Sequence, residues 1–220
     1  MTLDVKPTSP EWTVGTAAGA LAPIVYGVTV IAGAAAISGY SHLDDPISSL
    51  TEAGRTDVSW IPYAFLLYNL LVGLFSTVTL ARARHDPVWR AVFLLLLLTA
   101  ACGLLMWPLR QDPIGSPATY SGVLHVVLAA VESLSSIAVV AMSMRQFHAR
   151  GEAALTAFCA AALAIVIVFG AAAALATANG WPLMGLFERL TIGAFEAWIL
   201  VIAVALMRRP TLLAQRSPRT

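Results

Sequence analysis

The chain has 220 residues, of which 59% are hydrophobic and only 11% are charged. A soluble domain is usually about a quarter charged, so this composition excludes a water-soluble globule of this length. A net charge of +1 and the lack of a basic run outside the loops exclude the electrostatic attraction that nucleic-acid binding needs, so the expected partners are membrane lipids.

Six apolar stretches follow one another along the chain, and each is long enough to cross roughly 30 Å of hydrocarbon as a helix. The first is too long to be the hydrophobic part of a cleavable signal. The polar segment 39–57 separates the first two stretches, and the remaining connections are shorter. We therefore predict one all-α domain over 1–220, a polytopic bundle of six transmembrane helices in the cell membrane. The predicted spans are 13–38, 58–82, 90–108, 119–145, 154–178 and 185–207.

The positions of Lys and Arg predict the orientation of this bundle, because basic residues near helix ends are retained in the cytoplasm. Arg55 and Arg110 fall on one side of the membrane, and Arg189 lies just inside the sixth span. The other ten of the 13 basic residues share the opposite side: Lys6, Arg82, Arg84, Arg90, Arg145, Arg150, Arg208, Arg209, Arg216 and Arg219. We therefore predict cytoplasmic N- and C-termini and an outward-facing 39–57 segment.

Aromatic residues agree with this arrangement, because Trp and Tyr prefer the membrane boundary. Trp89 falls at the predicted inner boundary. Four further aromatic residues fall at the outer one, and an interfacial belt explains all five: Trp60, Trp107, Tyr120 and Trp181.

The 39–57 segment contains a helix-start pattern at Asp45-Pro46, where the carboxylate can cap free N–H groups and proline suits the first helical turn. Gly54 is a suitable stop. We predict a short helix on the outer face. A similar string begins at Asp112, before the fourth span, so DPISS and DPIGS are either traces of a duplicated two-helix unit or one capping solution used twice.

Ionisable residues recur inside two predicted spans, where each costs roughly 2.5–3.5 kcal/mol at a helix centre on insertion scales. The fourth span holds His125 and Glu132, and the sixth holds Glu188, Arg189 and Glu196. A spacing of seven residues puts each pair, His125 with Glu132 and Arg189 with Glu196, on one helix face. If the two spans are neighbours, Arg189 can neutralise Glu132 or Glu188, and His125 can hydrogen-bond to Glu196.

Three interpretations of this polar set remain open. It can be an internal salt-bridge network that fixes helix packing, a headgroup site open to the outer leaflet, or a proton or ion pathway. The polar set fades in the inner halves of the two spans, which read IAVVAM and WILVIAVAL, and this counts against a continuous pathway. Nearby small polar residues extend the set or simply join helices: Asn69, Ser133, Ser135 and Ser136.

Sequence patterns that would indicate a catalytic site or a metal site are weak. No G-x-S-x-G motif surrounds any serine, and His42, Asp44 and Asp45 lack the spacing of metal ligands. Cys102 and Cys159 fall in opposite halves of different spans, which argues against a disulfide. We expect no cofactor and no bound metal, and an enzymatic role is not indicated.

Four strings together carry a family resemblance: 45-DPISSLTEAG-54, 107-WPLRQDP-113, 122-GVLHVVLA-129 and 185-GLFERLTIGAFEAW-198. They resemble the bacterial membrane proteins of the domain of unknown function 998 family, which is similar to the wider Frag/DRAM/Sfk group. The resemblance implies six spans and a polar outer side but no established reaction. The family's Gly-x-x-His pattern and its Glu/Gln-Arg pair match Gly122, His125, Glu188 and Arg189. Glu196 departs from the family pattern.

The leading prediction is a polar pocket open to the outer leaflet that binds a lipid headgroup or small amphiphile. A proton-coupled transporter and a structural or accessory subunit are the alternatives. Arg189 is the predicted charge anchor for this ligand, and His125 is predicted to form a hydrogen bond with it. The full predicted ligand-binding set is His125, Glu132, Glu188, Arg189, Glu196, Asp112 and Asp45.

Overall fold

Six α-helices, each long and apolar enough to cross a membrane, make up most of the computed structural model, which describes residues 9–113 and 115–213. Two short 3-10 helices, Ile47–Thr51 and Pro210–Leu213, complete the regular structure, and these described ranges contain no strand. The prediction of an all-α, six-helix membrane protein is confirmed. The helices are α1 Pro10–Ala36, α2 Ile61–Arg82, α3 Pro87–Met106, α4 Tyr120–Ala149, α5 Ala153–Asn179 and α6 Met184–Arg208.

The helices form a closed ring, because each packs against the next in the chain and α6 returns to pack against α1. Consecutive helices run in opposite directions. The segments 37–60, 107–113, 115–119 and 180–183 therefore lie at one end of the bundle, called here the loop end. Residues 83–86 and 150–152 lie at the opposite end with the first residue of α1 and the last of α6. Since α5 lies between α4 and α6, these two helices are not close neighbours, although the sequence analysis had considered that pairing.

Helix starts follow standard capping chemistry. Side-chain oxygens of Ser9, Asp86 and Thr119 accept hydrogen bonds from the first free N–H groups of α1, α3 and α4. Asp86 also forms an ion pair with Arg150, with 2.9 Å between nitrogen and oxygen, which joins the start of α3 to the end of α4. Lys6, Arg216 and Arg219, which contributed to the predicted orientation, lie outside the described residues.

The half of the ring away from the loop end is filled with large apolar side chains. Trp89, Phe93, Trp198, Ile199 and Ile202 are fully buried there. Trp89 was predicted to lie in an interfacial belt, and that prediction is wrong, because its ring stacks on neighbouring aromatic residues inside the bundle. The other predicted belt residues are exposed: Trp60, Trp107, Tyr120 and Trp181.

Candidate functional site: a cavity inside the helix ring

The loop-end half of the ring is not filled and encloses a cavity of about 990 Å³. All six helices contribute to its lining, together with the 3-10 helix Ile47–Thr51 and the loop before α4. Most of the lining is apolar, with a small number of ionisable side chains. The contrast with the packed half follows from the sequence, because the ionisable side chains of α4 and α6 that line the cavity all lie in the loop-end halves of these helices.

Five of the seven predicted site residues line this cavity, namely His125, Glu132, Glu188, Glu196 and Asp112. Asn69, Ser133 and Ser136 also line it, whereas Ser135 is buried outside the lining. Asp45 and Arg189 are not part of the lining. The structure thus brings most of the predicted polar set around one space, but not through the pairings expected from sequence.

Glu132 and Glu196 lie at the base of the cavity, facing it from different helices. Each is twelve residues from the first residue of its helix, Tyr120 or Met184, so both lie roughly 18 Å along the helix from the loop end. This depth is near the middle of a bilayer core. Both carboxylates belong to residues that line the same cavity.

Tyr68 holds one oxygen of Glu196. Its hydroxyl donates to Glu196 Oε1 at 2.5 Å, and the Tyr26 ring packs edge-on against Tyr68 with 4.9 Å between centroids. Glu196 is only 7% exposed, and its second oxygen, Oε2, has no hydrogen-bond donor among the described residues. The sequence analysis expected His125 to fill this role and did not identify Tyr68.

Glu188 and Arg189 hold the 39–57 segment on the start of α6. The Ile47 N–H donates to Glu188 Oε2 at 2.5 Å. The Arg189 guanidinium donates to Tyr40 Oη at 2.5 Å, to His42 Nδ1 at 3.1 Å and to the Asp45 carbonyl at 2.9 Å. Arg189 therefore neutralises neither Glu132 nor Glu188 by an ion pair, and that expectation is corrected: its donors are directed into the loop rather than into the cavity.

Tyr40 supports this attachment because its own hydroxyl donates to the Pro46 carbonyl at 2.9 Å. Burial raises the pKa of Tyr40, although the nearby Arg189 acts in the opposite direction, so the hydroxyl keeps its proton and can donate. No signal in the sequence distinguishes Tyr40 from an ordinary boundary tyrosine.

His125 and Asp112 hold the other loop, before α4. His125 Nδ1 lies 2.9 Å from the Leu109 carbonyl oxygen, not beside Glu196 as expected. Asp112 accepts from the Thr119 N–H at 2.8 Å and from the Thr119 hydroxyl at 2.7 Å, and these bonds hold the pKa of its carboxyl below the usual range. A Cβ on Gly122 would collide with this carboxylate, so glycine is required there.

Asp45 and Asp112 do not share a capping role, despite their similar strings. The Asp45 carboxylate accepts from the Ser41 N–H at 2.7 Å, four residues earlier, whereas Asp112 reaches forward to Thr119. The predicted short helix after Asp45 is present as a 3-10 helix, Ile47–Thr51, but without a side-chain cap. The prediction that Asp45 caps it is therefore wrong, because the carboxylate closes the preceding turn.

Arg110, like Tyr68 and Tyr40, was not predicted from the sequence as a site residue. It lies near the loop end of the cavity and is the one Lys or Arg among the described lining residues. Its guanidinium makes no hydrogen bond or ion pair with other described residues, whereas its carbonyl accepts from Ser121 Oγ at 3.1 Å. The available signal was its position as the single basic residue between the third and fourth spans.

The cavity reaches the side of the bundle between α4 and α5. Val126 and Val127 of α4 line it and are 63% and 50% exposed, and Ala174 of α5 lines it and is also exposed. Side chains that both line the cavity and are exposed mark its opening. This opening faces the region that lipid tails occupy around a membrane helix.

The part of the chain that the structure describes contains neither a cluster of metal ligands nor a disulfide. No group of three or more His, Cys, Asp and Glu side chains there could hold a metal ion. Cys102 and Cys159 are both free and buried.

Together, the ring of six spans and its half-open, partly ionisable cavity define a multi-pass membrane protein with an intramembrane pocket. The model of one family, described as a protein of unknown function (DUF998), matches residues 20–205. This match covers most of the chain and all of the cavity lining, so the chain belongs to the DUF998 family. No curated protein and no solved structure matches the chain.

Proposed function

We propose that this protein binds an amphiphile, a lipid or lipid-like small molecule, inside the helix ring. The observation that carries this proposal is the cavity of about 990 Å³, which opens sideways between α4 and α5. Ligand pockets are typically about 300–1,000 Å³, mostly apolar, with a few placed polar groups. An amphiphile can enter from the bilayer and leave its tail in the opening.

An anionic group on the headgroup of this amphiphile would meet Arg110 in the cavity. Arg189, the charge anchor expected from sequence, already donates to Tyr40, His42 and Asp45 and is directed away from the lining. Arg110 lines the cavity, and its guanidinium is not engaged by other described residues. An arginine can hold a phosphate or carboxylate through two parallel hydrogen bonds.

The distribution of basic residues supports an outward-facing loop end, and the bound amphiphile would then come from the outer leaflet. Both native cysteines are buried, so a single added cysteine reports its own accessibility. A membrane-impermeant maleimide should label Ser116→Cys in intact cells and should label His85→Cys, at the opposite end, only after lysis. The reverse pattern would overturn this orientation.

The packed half of the ring supports binding rather than conduction. Below Glu132 and Glu196 the centre is filled by fully buried side chains, including Trp198, Ile199 and Ile202. Side chains packed at this density leave no continuous polar route. A transporter would have to open this half, whereas a binding protein would not.

The opening between α4 and α5 allows a direct test with two matched substitutions. Ala174→Phe puts a large ring in the cavity lining, whereas Ala171→Phe puts the same ring on an exposed, non-lining face of α5. Native mass spectrometry of protein purified in mild detergent should detect retained lipid on the wild type and on Ala171→Phe. Ala174→Phe should lose most of it, because the ring occupies the space of the ligand.

Equal lipid retention by wild type, Ala171→Phe and Ala174→Phe would contradict binding in the cavity. Loss from both phenylalanine variants would show that retained lipid lies on the outer face of α5 instead. No retained lipid on any of the three, with normal thermal unfolding, would favour a structural role.

A further inference from the structure

Among the described residues, the base of the cavity contains two carboxylates and no cation. Glu132 and Glu196 approach from α4 and α6 at the same depth, while Arg110 lies near the loop end, far along the helix axis from them. The other carboxylate and imidazole groups of the described lining belong to His125, Glu188 and Asp112, and each already has a partner in a loop. The two basal carboxylates are thus the acidic groups left facing the space.

Glu196 is incomplete as a hydrogen-bonding group. Tyr68 satisfies Oε1, but Oε2 is buried and receives no hydrogen bond from the described residues. Native proteins rarely leave a buried polar atom unpaired, and such an atom indicates a missing donor. Glu132, which lines the same cavity, also receives no hydrogen bond from any described residue. The carboxylates of Glu132 and Glu196 therefore both have unpaired acceptor oxygens.

Three kinds of charged ligand group, a divalent metal, an anion and an ammonium, differ in how they fit paired carboxylates. A divalent metal needs more oxygen or nitrogen ligands than Glu132 and Glu196 supply, and no third acidic, His or Cys side chain joins them among the described residues. An anion is repelled by both groups. A ligand ammonium provides several N–H donors and a positive charge in one compact group.

We propose that Glu132, Glu196 and Tyr68 form a subsite for the protonated amine of an amphiphile. This inference rests on the proposed function, since the rest of the same amphiphile, including an anionic group at Arg110, would lie in the cavity above the amine. Glu196 Oε2 and Glu132 accept the ammonium hydrogens, and Tyr68 fixes the Glu196 carboxylate in position. The opening between α4 and α5 admits the remaining tail to the bilayer.

Two photoreactive probes with the same chain test the subsite in full-length protein reconstituted in zwitterionic-lipid nanodiscs. One is a diazirine-bearing dodecylammonium and the other is the matching dodecanol. Labelling of α4 and α6 cavity peptides is measured by mass spectrometry and divided by labelling of the lipid-facing part of α5 around Val168, which corrects for partitioning into the bilayer. The ammonium should label cavity peptides roughly tenfold or more above the alcohol, the ratio of one charge-assisted hydrogen bond.

Glu196→Gln and Glu132→Gln should each bring the two probes close to equal labelling, because glutamine keeps the shape and loses the charge. Glu152→Gln is the matched control: its carboxylate pairs with Arg209 at the opposite end, so the ammonium preference should persist. Equal labelling of the wild-type cavity by both probes, or an unchanged preference in both cavity variants, would overturn the amine subsite and leave amphiphile binding standing. Cavity peptides that neither probe labels would overturn the proposed function as well.

Discussion

Individual charged residues inside this membrane protein divide into two groups by what their side chains touch. Glu188 and Arg189 are engaged by the backbone and side chains of the 39–57 segment. Glu132 and Glu196 face the cavity with unfilled acceptors. Charges that the protein itself satisfies hold the loop, and charges that it leaves unsatisfied are available to a ligand.

Arg189→Lys should loosen the 39–57 segment. A lysine has one compact ammonium and cannot reproduce the fork that reaches Tyr40, His42 and the Asp45 carbonyl together. We expect a loss of about 2 kcal/mol in the free energy of unfolding, the value of one or two hydrogen bonds to a charged group. Faster cleavage within 39–57 in limited proteolysis should accompany it.

Arg209→Lys is the control for this substitution, because Arg209 makes an exposed ion pair with Glu152, and such pairs contribute little. The same proteolysis rate in Arg189→Lys and wild type would contradict a loop-holding role for Arg189.

The sequence could identify which residues gather at the site but not how their side chains are directed. His125, Glu132, Glu188 and Glu196 line the cavity because helical spacing alone puts them on inward faces. Arg189 is adjacent to Glu188, and its long side chain turns toward the loop. That direction depends on partners 140 or more residues away in the chain, which no local pattern encodes.

At the scale of helices, α1 packs closely against α2 through small residues. A Cβ added to Gly15 would lie 2.6 Å from Val78, and one added to Gly19 would lie 2.6 Å from the Phe75 ring. Gly15 and Gly19 form the small-xxx-small spacing that lets membrane helices approach. This contact matters for the site because α2 carries Tyr68 at the cavity base.

Gly19→Ala should therefore be destabilising, by about 1–3 kcal/mol in the free energy of unfolding, because the added methyl overpacks the α1–α2 contact. Gly27→Ala on the same helix is the matched control, since its Cβ would meet nothing within 4 Å. The control should be neutral or stabilise the helix by up to about 1 kcal/mol. Thermal unfolding in detergent compares the two, and equal midpoints would show that α1 is not closely packed at Gly19.

The sequence predicted the six spans well because the length of an apolar run is set by the bilayer. Their arrangement was not predictable, since both lipid-facing and buried positions are apolar. The order of the ring and the position of α5 between α4 and α6 come from packing of side-chain shapes. Consequently, the expected contact of His125 with Glu196 fails, although both residues reach the same cavity.

On the scale of the whole molecule, the bundle has a packed half and a hollow half. The packed half carries the Asp86–Arg150 ion pair and the large aromatic core. The hollow half contains the 39–57 segment, the loop before α4, the opening and all the cavity-lining charges. Rigid support beneath a preformed space is an arrangement typical of a ligand site.

The central claim is that an amphiphile occupies the space inside the helix ring. An experimental structure of the protein in lipid nanodiscs tests it directly. Elongated density should enter between α4 and α5 and end at Glu132 and Glu196. A cavity that contains only water, or one that collapses so that α4 and α6 pack together, would contradict it.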